Sequence, residues 1–322
     1  MTPQQDAGRD GGTAAVPAPL EIVRVPTERR NQATYDIDRL TTLGILREIN
    51  AEDATVPRAV AAVLPDLARA VDLGVEALRS GGRIHYFGAG TPGRIATTDA
   101  AELPPTFGTA PETVLAHHAG GAPTLERAAE GIEDDEDLGR DDAGAVGADD
   151  LAVGLTASGR TPYVAGALRA ARRAGAATVL VTANPEAPLA RDADVHVGVD
   201  TGAEVIAGST RMKAGTAQKL VLNAFSTAVM VRLGRTYSNL MVGVNATNAK
   251  LRGRAVTILT EASGMDEDSC AAALTRADGD ARVALVTLLT GVGADRAAAE
   301  LTACGGRVRE ALQQIGDAPE PR

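Results

Sequence analysis

The sequence predicts an α/β protein: a parallel sheet covered by helices, followed by a helical C-terminal part. Three observations predict it. Strand candidates alternate with helical stretches through the middle of the chain, two Gly-rich loops each join a strand to a helix, and the last third carries only helical spacing. Residues 1–20 are rich in Gly, Ala, Pro and Gln and read as a disordered tail. From Leu40 the pattern turns helical, and residues 56–78 read as one long helix. Residues 83–87 form the first expected strand, followed by a Gly-rich turn and a helix. Residues 113–117 form the second, followed by the Gly120–Gly121 turn and a helix from Leu125. Residues 151–156 form the third, with a helix from Pro162, and residues 178–182 and 195–199 complete the set. After Ser209, the positions Leu220, Val221, Ala224, Phe225 and Ala228 follow helical spacing. Gly264, Gly279, Gly291 and Gly305 punctuate the remainder into short helices, a small subdomain or a cap on the main one. The expected organisation is a tail at 1–20, a main domain at 21–250 and a helical subdomain at 251–322.

Composition narrows the function classes. Of 322 residues 44% are apolar but only 2% aromatic, with no Trp, so Ala, Val, Leu and Ile must fill the core. The formal net charge of −10 argues against a nucleic-acid partner, because such a chain gains little from a general phosphate field. Any phosphate it binds must be held locally, by backbone amides and a few cations. No apolar run approaches the ~18 residues needed to span a bilayer, so no membrane partner is expected. The N-terminus lacks a basic segment followed by an apolar one, so no signal peptide is evident. Cys270 and Cys304 do not suggest a disulfide framework, and the four His show no metal-ligand spacing. A cytoplasmic protein without metal is expected.

The clearest internal echo is a pair of loops. One runs Gly88-Ala89-Gly90-Thr91-Pro92-Gly93-Arg94, the other Ala157-Ser158-Gly159-Arg160-Thr161-Pro162. Each follows an expected strand and opens an expected helix, with Thr as N-cap and Pro in the first helical position. Free amides at a helix start bind anions, the macrodipole helps, and the hydroxyls of Thr91, Ser158 and Thr161 add donors. Two such sites at the carboxyl ends of parallel strands point to a phosphorylated small molecule in the crevice between them. Gly88, Gly90 and Gly93 also satisfy the dinucleotide pattern G-x-G-x-x-G. That pattern needs an acidic residue closing the next strand; here stand His117 and His118, so a nicotinamide cofactor is not expected.

Among carboxylates, Glu102 lies at the expected end of the helix that Pro104 and Pro105 would stop. There the negative end of the dipole favours its protonated form, which suits a general acid; an ordinary solvated Glu is the plainer alternative. The expected helix from Leu125 places Leu125, Ala128, Ala129 and Ile132 on one face and Glu126, Glu130 and Glu133 beside it. Spacing alone makes that stripe a solvated face. Residues 208–213, Gly-Ser-Thr-Arg-Met-Lys, read as a helix start with two cations in its first turns, to be explained by an anionic ligand or by an ion pair.

Several segments together resemble the N-acetylmuramic acid 6-phosphate etherases and, more distantly, the regulatory proteins of vertebrate glucokinase. They are Thr27-Glu28-Arg29-Arg30-Asn31, Ile49-Asn50-Ala51-Glu52-Asp53, residues 88–108, Glu130-Gly131-Ile132-Glu133-Asp134, residues 157–164 and residues 202–222. The resemblance implies a flavodoxin-like SIS fold with helices on both faces of the sheet, and a homodimer. It implies cleavage of the lactyl ether of N-acetylmuramic acid 6-phosphate by elimination and hydration, with no cofactor. Carried over by motif, Glu102 in Ala-Glu-Leu-Pro-Pro matches the proton donor and Glu133 the second catalytic Glu. Gly90, Thr91, Gly93, Ser158, Gly159, Arg160 and Thr161 fall on the phosphate loops. Glu204, Ser209, Thr210 and Lys213 fall in the family's signature segment and are expected to bind substrate. Two positions depart from the family: Pro92 replaces a Ser, and Ala101-Glu102-Leu103 replaces Ser-Glu-Cys. Two other readings compete, a sugar-phosphate isomerase of the same fold and a non-catalytic sugar-phosphate sensor.

Overall fold

The computed structural model of the chain describes residues 25–127, 129, 131–243 and 249–317. The expected tail at 1–20, and Ala128 and Glu130, lie outside the described residues. Three helices come first, α1 (Thr42–Asp53), α2 (Val56–Ala62) and α3 (Leu64–Arg79). The alternating part is β1 (Ile84–Gly88), α4 (Gly90–Phe107), β2 (Val114–His118), α5 (Ala122–Glu126), α6 (Glu136–Asp142), β3 (Leu151–Leu155), α7 (Pro162–Arg173), β4 (Ala177–Thr182) and β5 (Val195–Gly198). Helices α8 (Lys213–Arg232), α9 (Ala249–Ser263), α10 (Glu267–Arg276), α11 (Ala281–Thr290), α12 (Ala294–Ala303) and α13 (Val308–Asp317) complete it.

All five strands pair in parallel, in the order β2-β1-β3-β4-β5. The chain leaves β1 for one side and returns to β3 on the other, so the loops after these strands diverge and open a crevice at their carboxyl ends. Every residue of β1 and β3 is buried, as expected of central parallel strands covered on both faces. Ile84, Tyr86, Val153 and Val179 face one way, into a cluster with Val71, Leu103, Val221 and Phe225 of α3, α4 and α8. Phe87, Ala152 and Leu180 face the other way, against Val164 and Leu168 of α7. The C-terminal helices share a separate cluster built from Leu259, Leu274, Leu285 and Leu301, which also takes in Val242.

Three expected helices are corrected. The single helix over 56–78 is two, because Pro65 has no N–H to continue the ladder; Val63 instead closes α2 by donating to the Val60 carbonyl at 3.1 Å. Conversely, Pro104 and Pro105 do not stop α4. Leu103 and Phe107, four apart, are both buried, and Gly108 in the left-handed region (φ 63°) donates to the Pro104 carbonyl to end the helix. Glu102 is therefore an exposed residue inside α4 rather than at its end. The helix expected from Leu125 stops at Glu126. Arg94 donates to the carbonyls of Thr124 and Leu125, both at 2.8 Å, the acceptors a longer helix would use. Glu133 consequently lies on a separate 3-10 turn, Ile132–Asp134.

That turn is seated by backbone contact between α6 and α7. A Cβ on Gly139 would strike the Tyr163 carbonyl oxygen, and one on Gly166 would strike that of Glu136. Two glycines thus let the helices touch along their backbones, bringing the residues just before α6 up to the start of α7.

Candidate functional site

A cleft of 610 Å³ opens at the carboxyl ends of β1 and β3. Both Gly-rich loops line it. Gly90, Thr91 and Pro92 come from the start of α4; Ser158, Arg160, Thr161 and Pro162 come from the loop before α7. Glu133 and Asp134 close one side, while Thr27, Glu28, Gly208 and Thr210 close another. Gly90 (φ 59°) and Gly159 (φ 72°) both take left-handed backbone, which lets each loop turn from its strand into a helix.

The loop before α7 is wired by hydroxyls. Thr156 Oγ1 stands 2.7 Å from Thr161 Oγ1 and 3.4 Å from Ser158 Oγ, and accepts from the Gly159 amide at 3.2 Å. Thr161 is the N-cap residue, as expected, but its hydroxyl bonds Thr156 and caps no helix amide. Thr91 is not an N-cap at all: α4 begins at Gly90, two residues earlier than expected, with Ala89 in that position. Gly93 does not line the cleft. A Cβ there would meet the Gly88 carbonyl and the His118 ring, each at 2.5 Å, so this glycine serves the close packing of α4 on the sheet.

First-turn amides of α4 and α7 have no acceptor within their helices, and the starts of both helices line the same cleft. Of the charged side chains lining it, three are carboxylates (Glu28, Glu133, Asp134) and one is the guanidinium of Arg160. An oxyanion here relies on amides, hydroxyls and Arg160, with carboxylates close by for proton transfer.

The remaining expected residues lie elsewhere. Glu204 is fully buried; its two carboxylate oxygens accept from the amides of Lys213 and Ala214, each at 2.9 Å, and so cap α8. Burial pushes this carboxyl up, against the lowering effect of those two amides and the Lys213 charge. Lys213 Nζ is 2.6 Å from Glu52 Oε2, so its cation is explained by an ion pair. Arg211 precedes α8 and is exposed rather than in its first turn. Ser209 sits between the cleft-lining residues Gly208 and Thr210 and is not itself part of the lining. Glu102 lines a second, smaller hollow of 280 Å³ with Arg94, Asp99 and Lys219; Thr91 borders both spaces.

Residues 66–172 match the glucokinase regulatory protein N-terminal SIS domain, and residues 125–228 match the SIS domain. Over 271 residues the chain is 75% identical to an N-acetylmuramic acid 6-phosphate etherase of Thermobifida fusca, spanning 84% of this chain and 89% of that one. The chain belongs to the N-acetylmuramic acid 6-phosphate etherase family. Etherases of Symbiobacterium thermophilum (52% over 270 residues, 84% of this chain and 90% of the relative) and Bacillus subtilis (46% over 272 residues, 84% and 90%) are further relatives.

Sequence reasoning missed Thr27, Glu28 and Thr156 as members of this etherase-family cleft. Thr27 is 1% exposed and its Oγ1 has no hydrogen-bond partner among the described residues. Its segment was legible as a family motif, but nothing local assigned it a place. Thr156 ends the third expected strand, and a hydroxyl there was the available signal.

Two variants test this geometry. Pro92, buried in the first turn of α4, contributes neither an N–H nor a hydroxyl to the cleft. Pro92→Ser supplies both, and is expected to leave KM for a phosphorylated sugar unchanged or lower it by up to about tenfold, the worth of one hydrogen bond to a charged group. A marked rise in KM would remove the start of α4 from the phosphate site.

Asp99, in the hollow beside Glu102, is 9% exposed and accepts from the Tyr86 hydroxyl at 3.0 Å and the Ser226 hydroxyl at 3.1 Å. Burial raises its pKa from 3.8 to about 6, against the lowering effect of those two bonds. Between these values the folded state binds the proton more tightly, so this group's contribution to stability is full below pH 3.8 and is lost as pH rises through about 6. The whole displacement is worth about 3 kcal/mol. Asp99→Asn is therefore expected to gain stability relative to the parent chain as pH rises from 4 to 7, measured by urea unfolding at each pH. A difference that stays flat would show that Asp99 does not titrate in this way.

Proposed function

We propose that this chain cleaves the lactyl ether of N-acetylmuramic acid 6-phosphate, giving N-acetylglucosamine 6-phosphate and D-lactate, as a cytoplasmic step in the recycling of cell-wall amino sugar. One observation carries the reading: Glu133 stands in the same cleft as both anion-binding helix starts. The phosphoryl group is held at the starts of α4 and α7, by their amides and by Gly90, Thr91, Ser158, Arg160 and Thr161. The sugar opens to its aldehyde, which acidifies the proton on the neighbouring carbon. Glu133 removes that proton as base. The C–O bond on the next carbon breaks, the electron pair leaves with lactate, and Glu102 protonates the departing oxygen. Water then adds across the double bond of the enal. General acid–base catalysis of this kind contributes typically ~10²–10⁴-fold per positioned group.

Glu102 faces its own hollow, separate from the cleft of the same chain. The working unit is accordingly read as a homodimer, in which a second copy brings Glu102 to the cleft. In this scheme Glu204 and Lys213 do not touch substrate; they brace the wall that Gly208 and Thr210 form.

The deciding experiment is to incubate purified protein with N-acetylmuramic acid 6-phosphate and assay D-lactate enzymatically. Stoichiometric lactate and N-acetylglucosamine 6-phosphate are expected. Tight binding without lactate would make the chain a sugar-phosphate sensor, and aldose–ketose interconversion would make it an isomerase.

A further inference from the structure

A further cavity lies at the opposite end of the sheet from the cleft. Its 570 Å³ are comparable to the cleft's 610 Å³. It is bounded by the turn before β1, the turn before β2, the end of α8 and the turn between α12 and α13. Four guanidiniums line it (Arg79, Arg83, Arg235 and Arg307) against one carboxylate, Glu112. In a chain of net charge −10 this is a local reversal of sign, and it is more electropositive than the cleft itself.

These cations are not all neutralised within the fold. Arg307 is forked onto Glu310, at 2.5 and 2.6 Å. Arg235 makes no ion pair among the described residues; the nearby Asp280 is taken by Arg282 at 2.9 Å. Arg83 is bonded through its backbone, the amide donating to Asp150 Oδ1 at 2.7 Å and the carbonyl accepting from the Leu151 amide at 2.9 Å, and the residue is exposed. Arg79 reaches the Arg232 carbonyl at 3.3 Å. In the same wall Thr109 is 8% exposed, and its hydroxyl has no hydrogen-bond partner among the described residues. Planar donors lining one hollow beside an unpaired hydroxyl, in a space large enough for a sugar phosphate, fit a multivalent oxyanion.

We propose that this cavity is a second anion-binding site, which takes a small phosphorylated molecule between the amino ends of β1 and β2 and the C-terminal helices. Arg83 and Arg235 grip the oxyanion. Because the site joins the sheet to helices that pack in a separate core, occupancy ties the two together. The inference does not rest on the proposed etherase reaction.

The test is titration calorimetry of the full chain with inorganic pyrophosphate. Arg83→Gln and Arg235→Gln are each expected to weaken binding at this site at least tenfold, while lactate release at saturating substrate stays within about twofold of the parent. Ser158→Ala, in the cleft, is expected to leave the pyrophosphate affinity of this site unchanged. Arg83→Gln keeps the test sharp if Arg235→Gln disturbs folding, since Arg83 is exposed. Absence of pyrophosphate binding at millimolar concentration, equal affinity in Arg83→Gln and the parent, or loss of binding in Ser158→Ala alone would each overturn the proposal. No turnover enters the calorimetric result, so it fails or stands apart from the etherase reading.

Discussion

Glu133→Gln and Glu102→Gln are each expected to lower D-lactate release by at least ~10²–10⁴-fold, with substrate binding largely retained. The amide keeps the shape of each side chain and removes its proton chemistry. Near-normal turnover in either variant would take that residue out of the mechanism. Mixing the two inactive proteins gives a sharper result. If one copy supplies Glu133 and the other Glu102, a mixed dimer holds one site with both substitutions and one with neither. Random exchange then restores about a quarter of parent activity. If both residues act within one chain, mixing restores nothing. The separate hollows that hold Glu102 and Glu133 lead us to expect restoration.

The largest effect on stability is expected from Lys213→Met. Lys213 is 4% exposed, and its partner Glu52 also accepts from Asn31 Nδ2 at 2.8 Å. Asn31 and Glu52 belong to the N-terminal segment and α1, while the Lys213 amide holds Glu204 at the start of α8. One network thus fastens the outer wall of the cleft to the core. Removing the ammonium leaves Glu52 largely buried without its counter-charge, a loss of ~3–5 kcal/mol for a broken buried pair. The midpoint of urea unfolding should fall accordingly, and KM should rise as the wall formed by Gly208 and Thr210 loosens. Lys213→Met combined with Glu52→Met should recover part of the loss, because no stranded charge remains. A single variant within 1 kcal/mol of the parent would show that the pair does not carry the wall.

The strands were the most legible part of the chain. The alternation of short strand-like and helical segments placed all five within a residue of where they lie, and the central strands β1 and β3 are buried throughout, as strands covered on both faces must be. The two Gly-rich loops were legible for a related reason: a strand that turns at once into a helix needs left-handed backbone, and Gly90 and Gly159 supply it. Helix ends were less legible. Pro65 breaks its helix, while Pro104 and Pro105 do not break theirs. The difference is the burial of Leu103 and Phe107 on either side of Pro104 and Pro105, which no local rule contains.

The sequence by itself determined the parallel sheet, the pair of strand-to-helix loops at its carboxyl edge, and the family motifs that contain both carboxylates. All of these follow from short-range patterns in composition and backbone conformation. Only the tertiary structure decided which charges face a ligand. Glu133 is one acid among many until backbone contact between α6 and α7 carries its turn to the cleft. Lys213 could equally have met an anion until Glu52, 161 residues away, proved to lie against it. A side chain's charge is local, but what neutralises it is set by which distant segments the core brings together.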